Sequence, residues 1–349
     1  MTSSLELRSF HATPITFGKN KAFDVLFVIL GGLPLYLPYF LLIGESNLAK
    51  NIPFDWVFWS NQLVSMPHVW ATYARLNRKI SEGKVKAFFG LPIFFAILAL
   101  LIFATLHGFF LYVMTAVNVW QSYHYLRQVW GVSRYFTRPQ GETTLERKLT
   151  FWAFHGAMPL FILGRWNMLF IFWNGKPSDA IIPVGFPAPV LTLLWILAFI
   201  ALVLGVACEV LKFNRCSKNG MSYDCSAFIT LLVYFGIHWY GFLSIANYFS
   251  GFIVITIFHA VQYLAITWQF EDKQLSSNTL QTKFLKLIPA SASFVVFSFA
   301  LYLLGDFIQT HIFTLGNNFW PQFAGTCLST VSAQHYLVDT FMWTREAGM

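Results

Sequence analysis

Runs of about 20 mostly apolar residues recur along this chain, and a helix of that length crosses the roughly 30 Å hydrocarbon core of a bilayer. Ten such windows lie at residues 24–44, 54–75, 87–106, 109–131, 148–164, 188–211, 226–245, 250–269, 286–305 and 320–342. They predict an all-α fold: a polytopic transmembrane helix bundle of about ten helices in a single domain over 1–349, with 1–22 as a tail. The second, fourth and tenth windows carry more polar residues than the others. The piece MLFIFW at 168–173 is too short to span and reads as an interfacial or re-entrant segment. The longest hydrophilic segment, around Glu271 to Lys283, is a loop, which leaves no second, soluble domain.

Composition agrees with the pattern. The chain is 56% hydrophobic, 19% aromatic and only 11% charged, a balance that excludes a single water-soluble core. The first window is too long and too far from the start for a cleaved signal peptide. Basic residues gather in alternate loops: Arg8, Lys19 and Lys21, then Arg75 to Lys86, Arg134 to Lys148, Lys212 to Lys218, Lys273 to Lys286, and Arg345. The excess of positive charge on cytoplasmic loops of membrane proteins therefore places both termini in the cytoplasm. It also accounts for the net charge of +8 without a nucleic-acid partner. Of the four cysteines, none forms a CxxC pair, and Cys216 and Cys225 share a loop on the cytoplasmic side, so no structural disulfide is expected.

Polar side chains inside a bilayer are costly, and each is a functional-site candidate. Those in the windows fall into four groups: SNQLVSMPHVWATYAR with His68, NVWQSYHYLRQVWG with His124 and Gln128, FHAVQYLAITWQF with His259 and Gln262, and AQHYLVDTFMW with His335 and Asp339. In the predicted topology these four helices run in the same direction. Each histidine precedes the cytoplasmic end by seven to ten residues, or about 10 to 15 Å at the helical rise. Four imidazoles at one depth make a candidate metal site, since imidazole suits iron, copper, zinc and nickel. His155 reaches a similar depth and is a possible additional ligand; His238 lies nearer the outer half and is a weaker one. Asp339 at i+4 from His335, Gln128 at i+4 from His124 and Gln262 at i+3 from His259 share faces with the histidines. They are candidates to accept the second ring N–H of a ligand and fix its tautomer. Alternatively, polar side chains act as glue between helices, and Asp339 pairs with Arg127 or Arg345.

The motifs PHVWATYAR, YHYLRQVWG, FHAVQYLAITW and QHYLVDTFMW resemble those of uncharacterised bacterial multi-pass membrane proteins with dispersed intramembrane histidines. More distantly they are similar to the bacterial membrane β-carotene 15,15'-dioxygenases, which form retinal and hold a non-haem iron through histidines from several helices. That resemblance implies iron ligands at His68, His124, His259 and His335 with Asp339 in support, and residence in a bacterial inner membrane.

Three functions fit these residues. One is a metal-dependent oxygenase using iron(II) and O2 on a lipid-soluble substrate such as a carotenoid, another isoprenoid or an acyl chain drawn from the membrane lipid. The second is a transporter in which the histidines and Asp339 pass protons or a metal ion. The third is a haem protein with two axial histidines, such as His124 and His259.

Overall fold

The structure, a computed structural model, describes residues 20–44, 67–69, 71–73, 75–76, 79–80, 83, 85–137, 140–167, 170–173, 176–179, 186–244, 248–274 and 330–340. The window at 286–305, most of the tail and Arg345 lie outside them. The described chain is predominantly helical.

Helix α1 starts where the Asn20 side chain accepts hydrogen bonds from the N–H groups of Ala22 and Phe23 at 3.0 and 3.3 Å, an N-cap that fixes its first turn. It runs as an α-turn over Lys21–Phe23 and widens into a π-helix over Asp24–Ile29. Gly31 and Gly32 then take φ values of +53° and +72°, which side-chain-bearing residues rarely adopt, and the chain turns into α2, Leu33–Gly44. The two segments meet at 41°, so the first predicted span is broken. A Cβ on Gly31 would lie 2.3 Å from the Phe258 ring, so glycine also permits close approach to another helix.

The described helical residues between 67 and 80 form α3. A 3₁₀ turn, Ala87–Phe89, leads into α4, Leu91–Leu106, followed by α5, Phe110–Thr137. The predicted span at 148–164 is two helices, α6 (Thr144–His155) and α7 (Ala157–Asn167), divided at Gly156. The segment read as interfacial or re-entrant contributes a strand. Strand β1, Phe170–Trp173, pairs antiparallel with β2, Lys176–Asp179, with Trp173 opposite Lys176. Next come α8, Ala188–Lys218, then α9, Ser226–Trp239, which widens into a π turn over Tyr240–Ser244. Helix α10 covers Tyr248–Gln274, and residues 330–340 form α11.

Three helical stretches are long and apolar enough to cross a bilayer, Ala87–Ala104, Ala188–Lys218 and Ser226–Leu243. The bent α1–α2 pair makes a fourth if counted as one span. The ten windows therefore reduce to three or four by this criterion among the described residues. Within α10, Ile253–Thr267 is a shorter apolar stretch.

The surface supports a lipid environment. On α4, Leu91, Phe95, Phe103 and Leu106 are exposed, as are Phe199, Val203 and Val210 on α8. Contiguous apolar surface of this kind is what a bilayer, not water, solvates. The interior holds large side chains such as Phe154, Phe161, Tyr234 and Phe258 together with many polar ones. Close backbone approach contributes to the packing. A Cβ on Gly156 would lie 2.0 Å from that of Ala201 in α8, and one on Gly205 would lie 2.5 Å from Leu231 in α9.

One end of the bundle is tied by a polar network. Thr143 and Glu146 form a reciprocal capping box at the start of α6. Glu146 accepts from Arg215 Nε of α8 at 2.8 Å, and Arg215 Nη1 donates to the Gln140 carbonyl at 2.7 Å. Gln140 Nε2 donates onward to the Phe136 and Asp224 carbonyls. Ends of α5, α6, α8 and α9 are thereby held together.

Candidate metal centre

His68 comes from α3, His124 from α5, His259 from α10 and His335 from α11, and all four are essentially without solvent exposure. The structure brings together the four histidines that spacing singled out. Their ligand atoms all lie within 4.8 Å of one another. His124 Nε2 is 3.1 Å from His259 Nε2, His259 Nε2 is 3.1 Å from His68 Nε2, and His68 Nε2 is 2.7 Å from His335 Nε2. Ligand atoms about 2.1 Å from one shared ion stand roughly 3 Å apart at right angles and roughly 4 Å apart across it. The observed separations fit the room one transition-metal ion needs.

The rings are ordered cyclically. Around the circuit, centroids are 4.7 Å apart for His68 and His259, 4.8 Å for His259 and His124, 5.2 Å for His124 and His335, and 4.4 Å for His335 and His68. Across it, His68 and His124 stand 6.4 Å apart. Each neighbouring pair meets edge to face, at 85°, 69°, 71° and 87°. Four short sides and the longer His68–His124 diagonal give the ring centroids a roughly square outline.

Aromatic side chains wall the square. Tyr263 lies 4.2 Å from His68, Tyr125 4.3 Å from His259 and Tyr336 4.9 Å from His124, centroid to centroid. Tyr125 is fixed in turn by Thr256 Oγ1 at 3.0 Å and by Gln121, whose Nε2 donates to its hydroxyl at 2.6 Å.

The predicted supporting residues are close, but they act on other atoms. Gln128 Nε2 donates to the His259 backbone carbonyl at 3.0 Å and to Gln262 Oε1 at 3.3 Å. Gln262 Nε2 reaches the Val28 carbonyl of α1 at 2.7 Å. That carbonyl sits in the last turn before the Gly31–Gly32 break, where helix carbonyls lack intrahelical donors. The two glutamines therefore hold α10 against α5 and α1 and leave the imidazoles untouched. Among the described residues, His68 Nδ1, His259 Nδ1 and His335 Nδ1 have no hydrogen-bond partner.

Asp339 also differs from expectation. Its Oδ2 lies 3.8 Å from both His124 Nε2 and His335 Nε2, on the side where the nitrogens converge rather than beside an outer ring nitrogen. Oδ1 is within hydrogen-bond distance of the Thr72 and Tyr263 hydroxyls, at 2.9 and 3.1 Å. Arg75 Nη1 donates to the Tyr263 hydroxyl at 3.4 Å. The predicted partner Arg127 instead sits over Trp130, 5.1 Å from the ring centroid.

His155 and His238 do not join the group. Each turns Nδ1 to the carbonyl four residues earlier in its own helix, Phe151 at 2.6 Å and Tyr234 at 2.9 Å. Tyr263 and Arg75 are the residues that sequence reasoning missed. Tyr263 stands at i+4 from His259 and Arg75 at i+7 from His68, spacings that signal a shared helix face. A loop position for Arg75 hid its share of that signal.

Comparison with protein-family models, with curated proteins and with solved structures gave no match. What the fold and site define is a helical protein with an outward apolar surface and a buried four-histidine group able to hold a transition metal.

Proposed function

We propose that this protein is a multi-pass membrane oxygenase that holds non-haem iron(II) through His68, His124, His259 and His335 and acts on a lipid-soluble substrate. A carotenoid, another isoprenoid or an acyl chain is the substrate class, by analogy with the bacterial membrane β-carotene dioxygenases whose motifs it resembles. In this reading the chain crosses a bacterial inner membrane ten times with both termini in the cytoplasm.

The observation that carries the proposal is the convergence of four imidazole Nε2 atoms from four helices in a buried site. Burying so many polar rings is expensive, and a bound cation offsets the cost. Four rings in mutual contact favour a single ion over haem, which requires its axial histidines to stand apart on either side of a macrocycle. Iron supplies O2 activation when bound. The chain's own contribution is to fix the ligand square, to exclude water and to offer apolar surface on α4 and α8 to molecules dissolved in the bilayer.

The test is O2 consumption, and incorporation of isotopically labelled oxygen, by iron-loaded protein in lipid nanodiscs supplied with a carotenoid, an isoprenoid or an unsaturated acyl lipid. The expected result is incorporation into one class and its loss in His335→Ala. No incorporation into any of the three, with iron bound, contradicts the oxygenase reading.

A further inference from the structure

We infer that Asp339 is itself a fifth metal ligand, through Oδ2, so that the chain supplies four imidazoles and one carboxylate and leaves one position to an exogenous ligand. This rests on reading the histidine square as a metal site.

Three observations support it. First, Asp339 Oδ2 is equally far, 3.8 Å, from His124 Nε2 and His335 Nε2, which are neighbours on the square. An oxygen equidistant from two adjacent ligand nitrogens and near their converging atoms stands over one edge of the square, within reach of an ion drawn toward His124 and His335. A carboxylate that merely orients a ring approaches its outer nitrogen. Those separations lie within the roughly 3 to 4 Å expected between atoms that share one ion.

Second, the two oxygens have separate work. Oδ1 is gripped by Thr72 of α3 and Tyr263 of α10, and the Thr72 and Tyr263 oxygens are themselves 2.6 Å apart. Clamping from two other helices fixes the carboxylate plane and directs Oδ2 at the square. This is how hydrogen bonds beyond the metal commonly hold a monodentate carboxylate ligand.

Third, charge argues the same way. Four neutral imidazoles around a divalent cation would leave two uncompensated positive charges inside a bundle, and isolated buried charge is costly. Asp339 has no solvent exposure, so an anionic oxygen already sits where it neutralises part of that charge.

Four nitrogens and one oxygen make five ligands, one short of the six of an octahedral ion. Tetrahedral zinc sites have no use for this arrangement, whereas iron(II) with one replaceable ligand does. A small neutral diatomic or water is the ligand class for the sixth position.

The test uses full-length protein grown with carboxyl-13C aspartate, loaded anaerobically with Fe2+ and exposed to nitric oxide, whose paramagnetic iron adduct reports on nuclei bonded to the metal. Electron–nuclear double resonance should show a strong 13C coupling in the wild type. The coupling should be lost in Asp339→Ala and in Asp339→Glu, which is unlabelled at this position but keeps a carboxylate to hold the metal should the alanine variant lose it. A nitric oxide adduct without a strong 13C coupling would overturn the carboxylate ligand while leaving the four-histidine site standing. Bound iron that forms no adduct would overturn the replaceable sixth position. Wild-type protein that binds no iron would instead defeat the metal site on which the inference rests.

Discussion

His335 Nε2 lies 2.7 Å from His68 Nε2, although the two residues are 267 positions apart in the chain. Two neutral imidazoles meeting at that distance satisfy each other only if one nitrogen donates and the other accepts, whereas a shared ion satisfies both through lone pairs. Replacing either histidine by alanine removes one side of the square. We expect His68→Ala and His335→Ala to lower metal affinity by more than the roughly 10- to 100-fold typical of losing a supporting residue. Titration with Fe2+ in detergent, with His155→Ala and His238→Ala as controls that keep full binding, checks this.

Metal removal should destabilise the fold, because the ligands come from four helices that the ion draws together. Saturation to one hundred times Kd corresponds to about 2.7 kcal/mol of stabilisation. Thermal unfolding followed by circular dichroism, with and without a chelator, should show a lower Tm for the stripped protein. An unchanged Tm would contradict the link between site and fold.

Gln262 bridges Gln128 to the Val28 carbonyl in a region closed to water. Substitution to leucine leaves that carbonyl without its partner, at a cost of about 1 to 3 kcal/mol. Denaturation of Gln262→Leu should show the loss, while the variant still binds one metal, because no imidazole depends on this side chain.

Gly31 combines a left-handed backbone with contact against Phe258, which adjoins the ligand His259. Gly31→Ala should cost more than about 1 kcal/mol from backbone strain alone, and displacement of the Phe258 ring should weaken metal binding as well. Equal metal affinity in wild type and variant would separate the turn from the site.

Glu146 lies just outside the predicted spans. Burial disfavours its charged form, but the Arg215 hydrogen bond, the Thr143 N–H and the Arg215 charge together outweigh that and hold its carboxyl below the usual 4.5. A group whose folded pKa is depressed stabilises the fold fully above its unfolded pKa, and the contribution is lost as pH falls through the folded value. The wild type should therefore exceed Glu146→Gln in stability at neutral pH. The difference should begin to shrink as pH falls below the ordinary glutamate value of about 4.3 and be lost as pH falls through the lower folded value. Paired melting curves at pH 7 and pH 3.5 measure it.

Much of the site was legible in the sequence because polar side chains within apolar helices stand out and can be counted along the chain. Counting residues from the basic loops placed His68, His124, His259 and His335 at one level, and the structure joins them. Periodicity also put Asp339, Gln128 and Gln262 on the right faces. It did not show where each side chain reaches: Asp339 turns inward to Nε2, and the glutamines seek backbone carbonyls freed by a neighbouring helix. Those choices depend on contacts from α1, α3 and α10 that no local spacing contains. The break at Gly31–Gly32, the division at Gly156 and the hairpin after α7 escaped a hydropathy reading for a similar reason. Each is a local event spanning a few residues, and a window of twenty averages it away.

Elemental analysis of the purified protein, combined with its optical spectrum, tests the four-histidine site most directly. One transition-metal ion per chain, identified as iron, without a Soret band and lost in His124→Ala, is the predicted result. Protein without metal, metal retained at full stoichiometry in His124→Ala, or a haem spectrum would contradict it.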